Sequence, residues 1–436
     1  MVAVHRPPRD QALSYVVLTA LLIVVVSWNA LKAHQVVTLL DFGDFRIFHR
    51  AAESYLAGGS MYPLERLTVV AGGRTITYER PNLNPPHFHL LLLPLALLPV
   101  GAALAVWAAA SVTSLLVCLR LIVSASGLTP SPLLAMRGVV WLLAFVGTSA
   151  VISNTQVSLL LLLPVTLAWL SARRGAWTRA GVYLGLAISL KLFLLIFLPY
   201  LLLRRRLAAA ASACLTALAC FGLGLAVFGV QSHREWLAFL ATVDWTSVGM
   251  NASVLGLVSR LLTVNPYFTP LVMVPSIVKP LWAVLAATVG LITLIVVAKD
   301  ETESSVDRSF ALLLLAALLI SPLGWLYYLW LPLGPIVALG SLWWSDPGRA
   351  GLQRPASARR LLWLAAPGFF LPTPLTLAFQ PSRWATLLLG SLHSLAVLFL
   401  WTALVIDATA ATPGSTPRGE ITSAGSATGL RRAARK

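Results

Sequence analysis

The chain has 436 residues, of which 58% are hydrophobic and only 11% are charged, and its formal net charge is +17. A water-soluble domain of this length cannot hide so much apolar surface, so the composition excludes a soluble protein and predicts an integral membrane protein. The basic residues fall between apolar runs, which favours anionic membrane lipid over nucleic acid as their partner.

The apolar runs are continuous rather than alternating, which predicts an all-α polytopic membrane protein rather than a barrel. A span needs roughly 20 residues. Such runs predict helices near residues 13–33, 99–122, 134–152, 156–171, 207–230, 276–298, 361–378 and 384–407. The first run lacks a small-residue cleavage site, so we expect a retained span. Residues 1–410 should form one membrane domain, followed by a disordered basic cytoplasmic tail at 411–436.

The long first loop, residues 34–98, contains two short elements. Phe45–Leu56 places its apolar residues on one helical face, which predicts an amphipathic helix on the membrane surface. His89–Val100 is apolar but too short to span. Asp41 and Asp44 directly follow the first span. Asp44 is either the N-cap of the amphipathic helix or a reactive carboxylate beside the membrane.

Two further apolar runs, at residues 179–204 and 308–349, conflict with a single crossing. Basic residues flank both ends of each run, so one crossing would put a basic cluster on the wrong side. Two helical hairpins that turn near Lys191 and Pro322 resolve the conflict and give about 12 helical segments. Both termini, and most of the 32 lysines and arginines, are then cytoplasmic.

Polar residues near the expected hairpin tips are candidates for a site. Lys191 lies among apolar residues, where an ionisable group either binds an anion or snorkels to the interface. Asn154 and Gln156 lie between two predicted helices, where they either bind a sugar hydroxyl or cap a helix.

The remaining sequence motifs give little support for a metal, nucleotide or metalloprotease site. His87 and His89 are two residues apart without a third ligand at a known spacing, so no metal site is predicted. Asn251 and Ser253 formally match a glycosylation sequon. The sequence has no GxGxxG in a strand-turn-helix setting, no P-loop and no HExxH motif. No cofactor is therefore predicted, and if the protein uses a sugar donor, that donor should be lipid-linked rather than a nucleotide sugar.

Six stretches together resemble the polyprenyl-phosphate-sugar-dependent glycosyltransferases of the bacterial membrane, in the GT-C class, family 87. In chain order they are GDFRIFHRAAESYLAGGSMYP, NPPHFHLLLLPLALLP, NTQVSLLLLLP, AGVYLGLAISLKLFLLIFLPYLLLRRR, NASVLGL and SPLGWLYYLWLPL. Phosphatidylinositol-mannoside mannosyltransferases of mycobacteria are familiar members. The resemblance implies a GT-C-like bundle of about 10–12 transmembrane helices and an active site on the extracytoplasmic face of the cell membrane.

The resemblance also implies a mechanism. Asp44 matches the general base of the first extracytoplasmic loop, and a single displacement would invert the sugar. By charge and topology, Lys191 and Arg46 would bind the donor phosphate. The expected substrate-binding residues are Asn154, Gln156, His87, Asn251, Tyr327 and Tyr328. The donor would be a polyprenyl-phosphate sugar and the acceptor a glycolipid, with mannose and arabinose both open.

One position departs from the family pattern. Many relatives carry a His after SPLGW, where this chain has Tyr327 or Tyr328. A tyrosine with a pKa near 10 shuttles protons poorly at neutral pH but can still donate a hydrogen bond. A secondary transporter, or a flippase for lipid-linked sugars, is the alternative function, because transporters also use broken helices around a polar site.

Overall fold

The computed structural model describes residues 9–39, 42–63, 65–71, 74–80, 82–241, 245–265, 268–302, 304–345, 355–372 and 386–410. Helices dominate these ranges and confirm the predicted all-α membrane class. In the first half they are α1 (Arg9–Thr38), α2 (Asp44–Leu56), α3 (Val100–Ala125), α4 (Pro132–Ala144), α5 (Val146–Asn154), α6 (Ser158–Arg173), α7 (Trp177–Leu190) and α8 (Phe197–Leu203). In the second half they are α9 (Leu207–Leu240), α10 (Val254–Leu262), α11 (Val278–Lys299), α12 (Ser305–Ile320), α13 (Leu333–Ser345), α14 (Ala356–Phe370) and α15 (Leu392–Ala410).

In the part of the chain that the structure describes, five helical segments are long and apolar enough to cross a membrane, namely α1, α3, α9, α11 with its preceding turn, and α15. The predicted span at 134–152 is a bent pair, α4 and α5, with an angle of 52°. The bend leaves carbonyls without helical partners. Asn29 of α1 donates to the oxygen of Leu143 at 2.9 Å, and Thr148 donates to that of Leu142. These side chains satisfy the backbone at a depth where water is scarce.

Both predicted hairpins are confirmed. Helix α7 ends at Leu190, the backbone is extended at Lys191, and the chain returns through α8. The ends of this hairpin meet, because the Arg206 guanidinium lies 4.6 Å from the ring centre of Trp177. The second hairpin rises through α12 and returns through the 3-10 helix Leu326–Trp330 and α13.

Helix α12 lies at the centre of the bundle. All its residues from Asp307 to Leu319 are buried. A helix that is apolar on every side is surrounded by other elements, which explains why its sequence shows no polar face. The long apolar run that sequence reasoning divided into a hairpin thus supplies the core helix.

The first loop differs from prediction in two ways. Helix α2 is amphipathic, but its buried residues Phe45 and Phe48 pack against Phe88 and Trp107 of the protein instead of lying on lipid. The loop also holds an antiparallel hairpin that was not predicted, β1 (Glu65–Ala71) and β2 (Arg74–Arg80), in which Thr68 pairs with Thr77. Its alternating pattern is short and contains no long apolar run, so the sequence gives little signal for these strands.

Residues 231–275, between the predicted spans at 207–230 and 276–298, contain two helical stretches, the end of α9 and α10. Helix α9 continues to Leu240 after a kink at Gly229, where φ is 75°. Trp236 in this extension donates to the carbonyl of Leu83 at 3.1 Å, which fastens α9 to the first loop. Asp41 and the predicted tail at 411–436 lie outside the described residues.

Candidate active site

Two distant turns interlock at one end of the bundle, which we call the Asp44 end. Thr155, in the break between α5 and α6, accepts a hydrogen bond from the Phe45 amide at 3.0 Å and donates to the Phe42 carbonyl at 2.9 Å. Gly43 has a φ of 62°, and a Cβ there would lie 2.8 Å from the Thr155 hydroxyl oxygen. Only glycine fits this contact and this backbone conformation without strain.

This interlock brings Asp44 to Gln156. Gly43 is the N-cap of α2, so Asp44 stands at the first helical position and is not the N-cap. The Gln156 amide donates to the Asp44 carboxylate. Asp44 also interacts electrostatically with Lys191, Tyr327 and Tyr328. Five predicted site residues from four separate segments therefore converge.

Lys191 faces the protein interior at the tip of the first hairpin. Its ammonium donates to the Asn84 side-chain oxygen at 2.7 Å and lies 5.6 Å from the centre of the Tyr328 ring. A lysine that snorkels would instead extend to the interface. An ammonium has three donors. Asn84 takes one of them in the described structure, which leaves donors for an anion.

Asn84 was missed by sequence reasoning, and it belongs to a buried polar network. Its backbone amide donates to the Asn82 side-chain oxygen at 3.2 Å, and its carbonyl accepts from the Tyr62 hydroxyl at 3.0 Å. Asn82 contacts His89 at 2.7 Å. Burial lowers the pKa of His89 to about 4, so its neutral ring nitrogen accepts this bond. The network holds Asn84 in place to orient Lys191.

The tips of the two hairpins touch through aromatic rings. Tyr328 lies 4.9 Å from Phe193, and Tyr327 lies 4.7 Å from Tyr328, measured between ring centroids. Trp325 stacks on Tyr327 at 6.2 Å. Both tyrosines are buried, so they line the interior beside Lys191 and Asp44 instead of facing solvent.

The side chain of Asn251, which was predicted to bind substrate, is instead bonded to the backbone of the protein. Its side-chain nitrogen donates to the carbonyls of Thr246 and Pro322, both at 2.9 Å. Its side-chain oxygen accepts from the amides of Ser253 and Gly324. All its hydrogen-bonding capacity is thus used by backbone groups. Asn251 fastens the tip of the second hairpin to its neighbouring loop.

The remaining predicted site residues lie around this centre. Asn154 donates to Ala150 in its own helix, which leaves its side-chain oxygen for other partners. His87 contacts the Ser189 carbonyl at 2.7 Å, near the end of α7. Arg46 is half-buried two positions after Asp44, so the two side chains leave α2 on different sides. Among the residues that the structure describes, no three His, Cys, Asp or Glu side chains form a group that could hold a metal ion.

The sequence model of glycosyltransferase family 87 matches residues 82–322, which is more than half of the chain. The chain belongs to glycosyltransferase family 87. It is therefore a membrane glycosyltransferase. The matched range includes Asn84, Gln156 and Lys191, whereas Asp44 precedes it and Tyr327 follows it.

Two mycobacterial relatives match most of the chain. One, from Mycolicibacterium smegmatis, is 27% identical over 385 residues, covering 86% of this chain and 85% of the relative. The other, from Mycobacterium tuberculosis, is 28% identical over 356 residues, covering 79% and 75%. Each is named a polyprenol-phosphate-mannose-dependent alpha-(1-2)-phosphatidylinositol pentamannoside mannosyltransferase. No solved structure gives a significant match.

Proposed function

We propose that this glycosyltransferase moves a mannosyl unit from polyprenol-phosphate-mannose to a phosphatidylinositol mannoside. The donor and acceptor classes come from the names of its relatives. The observation that carries the proposal is that one end of the bundle holds both a carboxylate, Asp44, hydrogen-bonded to Gln156, and an ammonium, Lys191, beside Asn84 and Tyr328, with the two charges close enough to interact. Transfer from a sugar phosphate needs these two charges, one for the incoming hydroxyl and one for the departing phosphate.

In this mechanism Asp44 takes the proton of the acceptor hydroxyl. The hydroxyl oxygen attacks the anomeric carbon as the bond between that carbon and the phosphate oxygen breaks. The leaving polyprenyl phosphate is a stable anion, so no strong general acid is required. One displacement inverts the anomeric carbon, and a beta-linked donor yields an alpha-glycoside.

Lys191 would bind the donor phosphate in the transition state, when its charge increases. The Asn84 amide is neutral, so it orients the Lys191 ammonium without cancelling its charge. Tyr327 and Tyr328 would donate hydrogen bonds to substrate. Gln156 would orient the base, and Arg46 would contact donor phosphate from the adjoining face of α2. Asn154 and His87 would contact the sugar, whereas Asn251 would position the hairpin tip.

A transfer assay tests the proposal. Membranes holding the wild type should move label from polyprenyl-phosphate-mannose to a mixture of phosphatidylinositol mannosides, and membranes holding Asp44→Asn should not. Full activity of a folded Asp44→Asn protein would remove Asp44 as base. Transfer only from a lipid-linked arabinose would keep the mechanism and change the sugar. Absence of transfer from either donor by folded wild type would favour a flippase.

The side of the membrane has a separate test. We propose that the Asp44 end is extracytoplasmic and that both termini are cytoplasmic, because basic residues cluster at the opposite end. Ser60→Cys, in a background with Cys214 and Cys220 replaced by alanine, should react with an impermeant thiol reagent in intact cells. Arg174→Cys, exposed at the opposite end, should react only after lysis. The reverse pattern would invert the orientation.

A further inference from the structure

We infer that Thr155 is a positioning residue for the Asp44 carboxylate, acting through the hydroxyl that joins the Asp44 turn to the break between α5 and α6. The inference rests on the proposed function, since it takes Asp44 as the base. Thr155 would act through Asp44 rather than by touching substrate.

The hydroxyl contacts both sides of the Asp44 turn. Its oxygen accepts from the amide of Phe45, one residue after Asp44, and its hydrogen is shared between the carbonyls of Phe42, two residues before Asp44, and Asn154. The hydrogen bond to Phe45 joins residues 110 positions apart in the chain. A single side chain thus fixes the backbone that carries the carboxylate.

The backbone at this junction adopts unusual conformations on both sides. Thr155 has a φ of 49°, and Phe42 and Gly43 have φ values of 63° and 62°. A β-branched residue rarely adopts the left-handed region, and such residues persist where surrounding contacts hold them. The Trp107 indole supplies one such contact, donating to the Thr155 carbonyl at 3.2 Å. Glycine would turn the chain here at lower cost, but only a hydroxyl supplies the two hydrogen bonds to the Asp44 turn.

The next residue completes the arrangement. Gln156 donates to the Asp44 carboxylate, so Thr155 holds the backbone of the base while Gln156 orients its oxygens. If the Thr155 hydroxyl is lost, the turn can shift relative to the substrate. A displacement of about 1 Å in a reacting group costs roughly 100-fold in rate. The loss should appear in kcat, because the Thr155 hydroxyl bonds to the Asp44 turn and so acts on the position of the base.

Three variants test this inference in the transfer assay, with kcat and KM measured for donor and acceptor. Thr155→Val preserves the shape and removes the hydroxyl, and it should lower kcat about 10- to 100-fold with both KM values unchanged. Thr155→Ser keeps the hydroxyl and should stay within about threefold of wild type. Thr155→Gly relieves the backbone and removes the hydroxyl, so it should lower kcat while thermal stability is kept or raised.

Thr293→Val is the matched control. It removes another buried hydroxyl, which lies away from the site and accepts a hydrogen bond of 2.9 Å from the Trp401 indole. This variant should leave kcat unchanged. Wild-type kcat in Thr155→Val, with Asp44→Asn inactive, would overturn the positioning role and leave the proposed function standing. A shared loss of melting temperature and kcat in both Thr155→Val and Thr155→Gly would also overturn it, because stability alone would explain the result. Activity in Asp44→Asn would overturn both proposals.

Discussion

The two ends of the helical bundle hold their charged side chains in different ways. At the end opposite Asp44, which we call the Arg308 end, arginines pair with carboxylates. Arg308 lies 2.7 Å from Asp300, and Arg173 lies 3.2 Å from Asp307. At the Asp44 end, neutral amides provide the hydrogen bonds described above: Gln156 donates to Asp44, and Asn84 accepts from Lys191.

This difference indicates that the ion-paired charges stabilise the fold, whereas the charges hydrogen-bonded to amides are available for chemistry. A buried ion pair satisfies its own members and holds segments together, so little charge is left to act on a ligand. A neutral amide orients a charge but does not neutralise it. We therefore expect substitutions at the Asp44 end to lower activity and substitutions at the Arg308 end to lower stability.

The largest effect should come from Asp44→Asn, which keeps the shape and removes the base. We expect transfer to fall by about 10²- to 10⁴-fold, the range typical of a general base. The thermal unfolding midpoint should change little, because an amide can still accept a hydrogen bond from Gln156. A large loss of stability would place Asp44 among the structural charges and break the comparison.

Arg308→Met should show the opposite behaviour. Removing one member of a buried ion pair leaves the other uncompensated and costs about 3–5 kcal/mol. Unfolding in detergent should occur at lower temperature, while the activity of the folded fraction is kept. The double variant Arg308→Met with Asp300→Asn should recover part of the stability. A selective loss of kcat would assign this end a catalytic role.

Asn84→Leu should separate orientation of Lys191 from its charge. The substitution removes the acceptor that holds the ammonium, so we expect kcat/KM for the donor to fall about 10- to 100-fold. Lys191→Met should have at least as large an effect, because it removes the charge itself. Comparing donor kinetics of the two variants gives the measurement. Equal activity of Asn84→Leu and wild type would show that Lys191 needs no such support.

Gly43→Ala should disturb the junction between the Asp44 turn and Thr155. Gly43 has a φ of 62° and a ψ of −148°, a conformation that is almost restricted to glycine and costs about 1–3 kcal/mol in other residues. The added Cβ would also press on the Thr155 hydroxyl. We expect roughly tenfold lower activity. Gly58→Ala is the control, since Gly58 also has a positive φ, 81°, but no atom within 4 Å of an added Cβ. Equal losses in both variants would exclude the contact as the cause.

The smallest effect concerns pH. Burial lowers the pKa of His89 to about 4, below its usual value near 6.5. As pH falls, the unfolded chain binds this proton first, so stability should decrease between about pH 6.5 and 4. The expected loss is about 1 kcal/mol between pH 7 and 5.5. His89→Gln should flatten this dependence in thermal unfolding curves. An unchanged slope would place the titration on other groups.

Several features could be predicted because they depend on local composition or on membrane topology. The hairpin at Lys191 followed from basic residues at both ends of a single apolar run, since charge distribution controls orientation. The hairpin β1–β2 and the role of Asn84 could not be predicted in this way. Asn84 lies in a proline-rich loop without periodicity, and only its distance from Lys191 reveals what it does.

Asn251 and Thr155 both show that residue type alone does not reveal a role: Asn251 was predicted to be a site residue and Thr155 was not. Asn251 looked like a substrate contact by residue type, but its hydrogen bonds are all used by the backbone of two loops. Thr155 lies between two predicted site residues, Asn154 and Gln156, but was not itself predicted to belong to the site. Its importance follows from a hydrogen bond to Phe45 and a left-handed backbone, neither of which a sequence pattern displays.

The sequence by itself determined that this protein is a helical membrane protein, where its hairpins turn, and which family its motifs resemble. These properties follow from apolar length, from the side on which basic residues accumulate, and from short motifs. The tertiary structure alone decided which polar residues meet, because those contacts join segments more than 100 residues apart. The same packing decided that Asp44 and Lys191 are hydrogen-bonded to amides, whereas Arg308 and Arg173 are paired with carboxylates.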